Sequence, residues 1–514
     1  MLNQLLMKWQ ADKERISIIF QSSQYTYPEI SSIISVIANN LYQQGIKKNS
    51  KVALFMDNRP ELIWLYFAIF KLGAVAVPVN YRYKSAELNY VLQDCQAEML
   101  ITEEIKEQYV EPFLSKTNSN LKIFSLSKYP NKNWDNFSVL LEEKTRSHPD
   151  MIIKEEDLAV ILYTSGSTSN PKGVMHSHHS LLSSARNLTN TLLLNESCIQ
   201  GVTLPICHVA GLIGQVISTF LVGGKIVLFP KFDAASLVLA IEKHKITHLQ
   251  VVPVSLVELV DCLNQSPRDL TSLRCVMVGG DKVPEVLQEK FLKLSLCYVT
   301  EVMGMTESFS YCVNLSHDKT KLGSAGKPAI GVEIKIVDDD DKAVESEKIG
   351  EIKINSQANM IGYWKNPEET SKTLRNGWIY SGDLAYQDED GFIWFVGRKK
   401  QLIIRGGSNI APQEVEAILT QHPFVEEVCV IGFPDKKFRQ IVCACVVLNK
   451  ASSSSSSLSL QEIKDFCKDK LSDYKVPEKI FIFKALPHNA TGKLDRKKIM
   501  EMSTDPSAEY LFKN

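Results

Sequence analysis

The stretch whose residue types speak most directly of chemistry is YTSGSTSNPKG, Tyr163 to Gly173, which follows the apolar run Leu158-Ala159-Val160-Ile161-Leu162. A turn needs two or three small polar residues, whereas this loop is made of them. After a strand, such a loop aims backbone N–H groups and the hydroxyls of Thr164, Ser165, Ser167 and Thr168 at phosphate oxygens, with Gly166 allowing close approach. Lys172 adds a positive charge. A Walker A loop is excluded, because Pro171-Lys172-Gly173 stands where Gly-Lys-Ser/Thr is required and would misplace both the helix and the magnesium hydroxyl. MHSHHS, Met175 to Ser180, holds three histidines with no Cys or carboxylate beside them. It reads as the start of the helix after the loop and not as a metal site.

These residues need a scaffold. At 514 residues the chain is too long for one core and implies two or three domains. Hydrophobic content of 44% with 23% charged residues is that of a soluble globular protein. A net charge of −1 leaves no electrostatic footprint for nucleic acid or an anionic membrane. Eleven cysteines without paired CxxC spacing read as reduced core thiols of a cytoplasmic protein. MLNQLLMKWQADKER lacks the apolar run and cleavage site of a signal peptide. Leu62 to Val79, broken by Lys71 and Gly73, predicts a buried helix followed by a strand and no integral membrane segment.

Strand-like runs such as KVALFM, GAVAVPV, EMLIT, LAVILYT, GKIVLFP, HLQVVPV and RCVMVGG alternate with helical segments such as PELIWLYFAIFKLG and AASLVLAIEKHK over roughly the first 330 residues. That alternation predicts α/β layering with mainly parallel strands. After Gly331, VEIKIVDDDDKAV, GEIKINS and GFIWFVGRKKQLIIRGG predict a smaller β-rich region. After Lys400 a compact mixed pattern predicts a small α+β domain, with the serine tract Ser452 to Ser457 as a flexible surface loop inside it.

The opening loop resembles the phosphate loop of the adenylate-forming superfamily, which comprises acyl-CoA synthetases, adenylation domains of peptide synthetases and firefly-type luciferases. Ser169 stands where that loop usually has Gly. The other family signatures follow in order over nearly the whole chain. LPICHVAGL resembles the segment lining the acyl pocket, which implies His208 and Gly211 there, with Ala210 and Gly211 leaving room for an acyl chain. VMVGGDKV and EVMGMTES resemble the strand-end turn and the nucleotide motif. They imply Gly280, Asp281, Met303, Gly304 and Thr306 against the nucleotide, Val302 beside the acyl group, and Glu307 as the Mg²⁺ carboxylate. Met303 departs from the aromatic residue, usually Tyr, that stacks on adenine in the family.

WIYSGDLA implies Asp383 as acceptor for both ribose hydroxyls, a task that suits a two-oxygen carboxylate. GFIWFVGRKKQLIIRGG implies Arg398 near ribose and phosphate, Lys400 as the hinge, and Arg405, Gly406 and Gly407 as a loop presented to the thiol. LPHNATGKLDR resembles the final motif, whose lysine, here Lys493, bridges the substrate carboxylate and the α-phosphate. Lys172, Thr306, Glu307 and Lys493 are thus the implied catalytic set. The resemblance implies a large multi-subdomain α/β domain over residues 1–399 and a small mobile α+β domain over residues 400–514. It implies an acyl-CoA synthetase that uses ATP, Mg²⁺ and coenzyme A to activate a fatty or aryl acid, MIGYWKNPEETSKTL being the segment most like such enzymes. The alternatives are an acyl-AMP ligase loading a separate carrier protein, a luciferase-type monooxygenase, and a non-catalytic nucleotide binder.

Overall fold

The computed structural model describes residues 2, 5, 8, 14–114, 121–131, 133–143, 151–164, 171–281, 283–405, 408–449, 459–468, 470–488 and 493–504. The serine tract at 452–457 lies outside them, as do Ser165 to Asn170, Gly406 and Gly407. The chain divides into two compact units, Met1–Ile334 with Lys353–Tyr380, and Lys335–Ile352 with Ser381–Asn514.

Among the described residues the first unit is built on two sheets. The nine-stranded sheet runs in the order Lys327–Pro328, Ser308–Val313, Val299–Met305, Cys275–Gly279, His248–Val251, Ile199–Val202, Lys225–Leu228, Ile16–Phe20, Ser23–Thr26. Its inner strands, from Val299–Met305 to Ile16–Phe20, are parallel. The eight-stranded sheet runs Gly362–Tyr363, Lys172–Ser177, Leu158–Thr164, Val75–Pro78, Lys51–Phe55, Met99–Thr102, Lys122–Ser125, Asp135–Asn136. There too the strands from Leu158–Thr164 onward are parallel. Both sheets are α/β, as the alternation of apolar runs requires.

The main core lies between the two sheets. Side chains from both, such as Ile18, Val202 and Met277 from one and Val52, Ala76 and Leu162 from the other, close on an inner layer of helices. Pro60–Lys71 is central to it, with every residue from Leu62 to Phe70 buried, as an all-apolar helix requires. Pro60 opens it, Glu61 and Lys71 complement its dipole, and Gly73 at φ +63° turns the chain into Val75–Pro78. This is the helix and strand expected of Leu62 to Val79. Outer layers cover the far faces: Ala234–His244, Pro253–Gln265 and Glu285–Ser295 on the larger sheet, Ser85–Cys95 on the other.

One local expectation is corrected. The chain does not enter a helix at Met175. Lys172–Ser177 is a strand, antiparallel to Leu158–Thr164 with Thr164 opposite Lys172, and the helix begins at His178. Strand wins because both edges of KGVMHS find partners, the far edge pairing with Gly362–Tyr363. Ser177 ends the strand and caps the helix, its hydroxyl accepting from the Ser180 N–H at 3.1 Å.

In the second unit, Val425–Asp435 and Arg439–Leu448 form a long antiparallel pair, extended by Lys479–Phe483 and by Ile403–Arg405 with Ser408–Ile410. Helices Pro412–Leu419 and Leu460–Cys467 cover one face, and Arg496–Thr504 packs on the other. The β-rich region expected after Gly331 comprises Val332–Val337, Gly350–Ser356, Trp378–Gln387 and Ile393–Arg398. All eleven cysteines are free thiols, and nine are buried. No helix among the described residues is long and apolar enough to cross a membrane.

Candidate active site

Parallel strands deliver their ligand-facing residues at their carboxyl ends. In the first unit the Leu158–Thr164 strand ends at Thr164, and Lys172 begins the return strand opposite it, so the two ends of the phosphate loop are hydrogen-bonded neighbours. Helix Ser85–Cys95 and the 363–365 segment hold this base. The Tyr163 hydroxyl donates to Asp94 Oδ2 at 2.5 Å, Tyr90 donates to the Pro171 carbonyl at 3.1 Å, and Trp364 Nε1 and Lys365 Nζ donate to the Asp94 carbonyl at 2.9 and 2.8 Å. Gly173 allows the closeness, since a β-carbon there would stand 2.7 Å from Ile161.

Thr306 and Glu307 form the turn between Val299–Met305 and Ser308–Val313. Two side chains absent from the implied site connect this turn to the loop base. The Tyr363 hydroxyl donates to Glu307 Oε1 at 2.7 Å, and its ring lies 5.3 Å from Lys172 Nζ. Burial, then the Glu307 charge, pushes the Tyr363 phenol up, so it stays a donor. Lys172 also pairs with Glu369. His176 Nε2 lies 2.7 Å from the Thr306 carbonyl, and Nδ1 lies 3.1 Å from Ser180 Oγ. A carbonyl only accepts, so Nε2 carries the proton and Nδ1 accepts from Ser180. Burial lowers this imidazole to about 4, against a smaller opposing effect of its hydrogen bond to Thr306.

His208 is half-buried and follows a tightly held segment. Asn58 donates to the Leu204 carbonyl at 2.9 Å and accepts from the Ile206 N–H at 2.8 Å, Tyr66 donates to the Ile206 carbonyl at 2.8 Å, and Gln215 accepts from the Leu204 N–H at 3.2 Å. A π-helix, Ala210–Ile217, follows, a geometry frequent at functional sites. A β-carbon on Gly211 would stand 2.3 Å from the Pro205 carbonyl oxygen, so this glycine admits backbone on that side. Gly280, at φ +92°, and Asp281 leave the end of Cys275–Gly279, where Gly279 pairs with Val302. Met303 is half-buried and pairs with Cys312, and Gly304 lies so close to Ser310 that a β-carbon would stand 2.5 Å from its nitrogen.

The second unit holds the remaining candidates. Asp383 is buried and is the cross-strand partner of Arg398, whose Nε lies 3.0 Å from Asp383 Oδ1. Gly382, at φ +73°, forms the preceding bend, its N–H donating to Glu351 Oε1 at 3.0 Å. Lys400 is exposed within the short 3₁₀ turn Lys399–Gln401. Arg405 Nε lies 2.6 Å from Glu478 Oε1, and its guanidinium lies over Phe438 at 4.3 Å. Lys493 is exposed, beside the bridge between His488 and Leu494.

Glu307 is a hard carboxylate, and among the described residues no group of three His, Cys, Asp or Glu is placed to hold a metal ion. One carboxylate completed by phosphate oxygens and water suits Mg²⁺. Sequence reasoning missed Tyr363, Glu369, His176, Asp94 and Asn58. Tyr363 and Glu369 lie inside MIGYWKNPEETSKTL, and His176 lies in MHSHHS, whose residue types by themselves suggest only a helix start or a metal ligand.

The chain matches the model of the AMP-binding enzyme family over residues 7–364 and that of the AMP-binding enzyme C-terminal domain over residues 414–493. It is 33% identical to the 2-succinylbenzoate–CoA ligase of Bacillus velezensis, covering 97% of this chain and 98% of that one. It is 32% identical to the medium-chain fatty-acid–CoA ligase of Escherichia coli K12, covering 95% and 88%. Among solved structures, o-succinylbenzoate CoA synthetase from Bacillus subtilis in complex with its acyl-adenylate intermediate is similar with a TM-score of 0.86, 29% identity and 99% of each chain covered. The same enzyme with ATP and magnesium ion is similar with a TM-score of 0.83, 29% identity, and 96% of this chain and 98% of that one covered.

Proposed function

This chain belongs to the AMP-binding enzyme family, and from that premise we propose which residues carry its reaction and which acids it takes. The protein is an AMP-forming acid–thiol ligase. A carboxylate oxygen of the acid attacks the α-phosphorus of ATP and the bond to pyrophosphate breaks, giving an acyl-adenylate. The sulfur of coenzyme A then attacks the acyl carbon, the bond to the adenylate oxygen breaks, and AMP leaves. The acid is an aryl or medium-chain one, the two classes named for the relatives that match end to end.

The observation that carries the site reading is the tether between Lys172 and Glu307 through Tyr363. It holds a cation and a hard carboxylate at the base of one hydroxyl-rich loop, the arrangement a metal–triphosphate needs. Thr164 to Thr168 and Lys172 hold phosphates. Thr306 contacts the α-phosphate, its backbone kept in place by His176. Glu307 holds Mg²⁺, which when bound draws negative charge from the phosphate oxygens. Gly280, Asp281, Met303 and Gly304 line the nucleotide, and His208, Gly211 and Val302 line the acyl group.

Asp383 and Arg398 take the ribose. Lys493 bridges carboxylate and α-phosphate in the first half-reaction. The chain pivots near Lys400, with residues 1–399 as one functional body and 400–514 as the other, and the Arg405 to Gly407 loop serves the thiol step. The reaction runs in the cytoplasm, where eleven thiols stay reduced. The test is a hydroxamate screen of carboxylic acids with ATP, repeated with coenzyme A. Hydroxamate from an aryl or medium-chain acid, replaced by acyl-CoA when the thiol is added, supports the reading. Turnover of neither class overturns the acid assignment.

A further inference from the structure

Lys172 is held by two residues of one short segment. The Trp364 N–H donates to the Gly173 carbonyl at 2.7 Å and Tyr363 pairs with Val174, so this segment is anchored to the strand that Lys172 begins. The ammonium lies 5.3 Å from the centre of the Tyr363 ring and pairs with the carboxylate of Glu369. Helix Pro367–Thr373 fixes that carboxylate. Pro367 opens it, and the Asn366 side chain caps it by accepting from the Glu369 N–H at 3.0 Å. Thr370, the next residue, accepts from the Tyr363 N–H at 2.9 Å, so ring and carboxylate are fixed to each other.

Glu307 already supplies the carboxylate that a magnesium ion needs. A second carboxylate beside a phosphate site repels the ligand and competes for its cation. Nor is the pair a solvated surface contact, since the Lys172 and Glu369 side chains are only 16% and 21% exposed. In a site built only to grip triphosphate, Glu369 would be a defect. In a site that must also let pyrophosphate go, it offers the lysine another anion as the product leaves.

Resting on the reading of Lys172 as a phosphate ligand, we propose that Glu369 is a positioning residue, the internal counter-ion of Lys172. It holds the ammonium before nucleotide binds, yields it to the β- and γ-phosphates of MgATP, and takes it back as magnesium pyrophosphate departs. Thr306 has the α-phosphate in that reading, which leaves the outer two to the loop and its lysine. Polyphosphate therefore binds less tightly than the lysine alone would allow, because only the fraction of molecules with Lys172 released is ready for it. AMP, which lacks both outer phosphates, is indifferent to the pair.

The experiment is isothermal titration of the full-length protein, without acid, with MgATP, magnesium pyrophosphate and AMP. It compares the wild type, Glu369→Gln, Lys172→Met and the double variant, with melting temperatures checked for each. Should Glu369→Gln fail to fold, Glu369→Ala takes its place. Glu369→Gln is expected to bind MgATP and magnesium pyrophosphate about fivefold or more tightly and AMP as the wild type does, with the gain lost in the double variant. Polyphosphate affinity that stays level or falls in Glu369→Gln, an equal gain for AMP, or a gain that survives without Lys172 overturns the role of Glu369. Wild-type affinity for both polyphosphates in Lys172→Met removes the phosphate reading of Lys172 itself.

Discussion

The phenol of Tyr363 donates to Glu307 while the face of the same ring lies under Lys172, so one side chain orients the carboxylate and the ammonium that a metal–triphosphate must meet together. Tyr363→Phe keeps the ring and removes the hydrogen bond. Because bonds to charged groups contribute about 1.5–3 kcal/mol, the KM for MgATP in pyrophosphate exchange is expected to rise about tenfold or more, with little change in melting temperature. An unchanged KM would detach Glu307 from this tether.

Acid should weaken the fold from a definite point. Burial holds the imidazoles of His176, His178 and His248 down to about 4, against about 6.5 when unfolded. Between those values the unfolded chain binds protons the folded chain does not. Stability is therefore full above pH 6.5 and falls as pH drops toward 4, by up to about 1.4 kcal/mol per pH unit for each residue. His178→Leu, in a position whose ring packs edge-on to Phe70 at 5.6 Å, should flatten the slope. Urea midpoints from pH 7.5 to 4.5 check this. A flat wild-type profile down to pH 5 would contradict it.

Lys493→Ala should lose adenylation by several orders of magnitude while folding normally. Thioester formation from supplied acyl-adenylate should largely survive. Equal loss in both half-reactions would remove the assignment of Lys493 to the first step alone.

Lys400→Pro fixes φ near −65° in the 3₁₀ turn proposed as the pivot. Adenylation should continue and thioesterification should slow. Stopped-flow measurement of the two half-reactions separates them, and wild-type rates in both would move the pivot elsewhere.

Met303→Tyr exchanges a thioether for a ring at the proposed adenine platform. Stacking adds roughly 0.5–1.5 kcal/mol, so the KM for ATP should fall several-fold at saturating acid. The opposing effect is crowding, which a half-buried position can relieve. A changed preference among acids at constant KM for ATP would place Met303 in the acyl site.

The layers of this fold were legible because their signals are local: apolar runs of strand length, an all-apolar helix between Pro60 and Lys71, and glycines at strand ends. The return strand after the loop was not, because KGVMHS becomes a strand only through partners on both edges, one of them almost two hundred residues away. Tyr363 and Glu369 were hidden for the same reason. A tyrosine and a glutamate in an ordinary surface-like segment acquire meaning only when the chain lays them beside Glu307 and Lys172. Gly211 illustrates the converse. It was legible as a small residue at the acyl segment, but on one side the space it leaves belongs to the Pro205 carbonyl, which only the folded backbone reveals.

The burial of the cysteines bears on the second half-reaction. Burial above all pushes the thiols of Cys95, Cys198, Cys207 and Cys297 up to about 12. At neutral pH these thiols stay protonated, and the thiolate is the form that attacks. A mixed anhydride as reactive as an acyl-adenylate would therefore find these four sulfurs inert, and the enzyme is protected there against acylating itself. The same protonation keeps them out of exchange with a coenzyme A disulfide. The incoming cofactor arm thus competes with none of these four thiols for the activated acyl group.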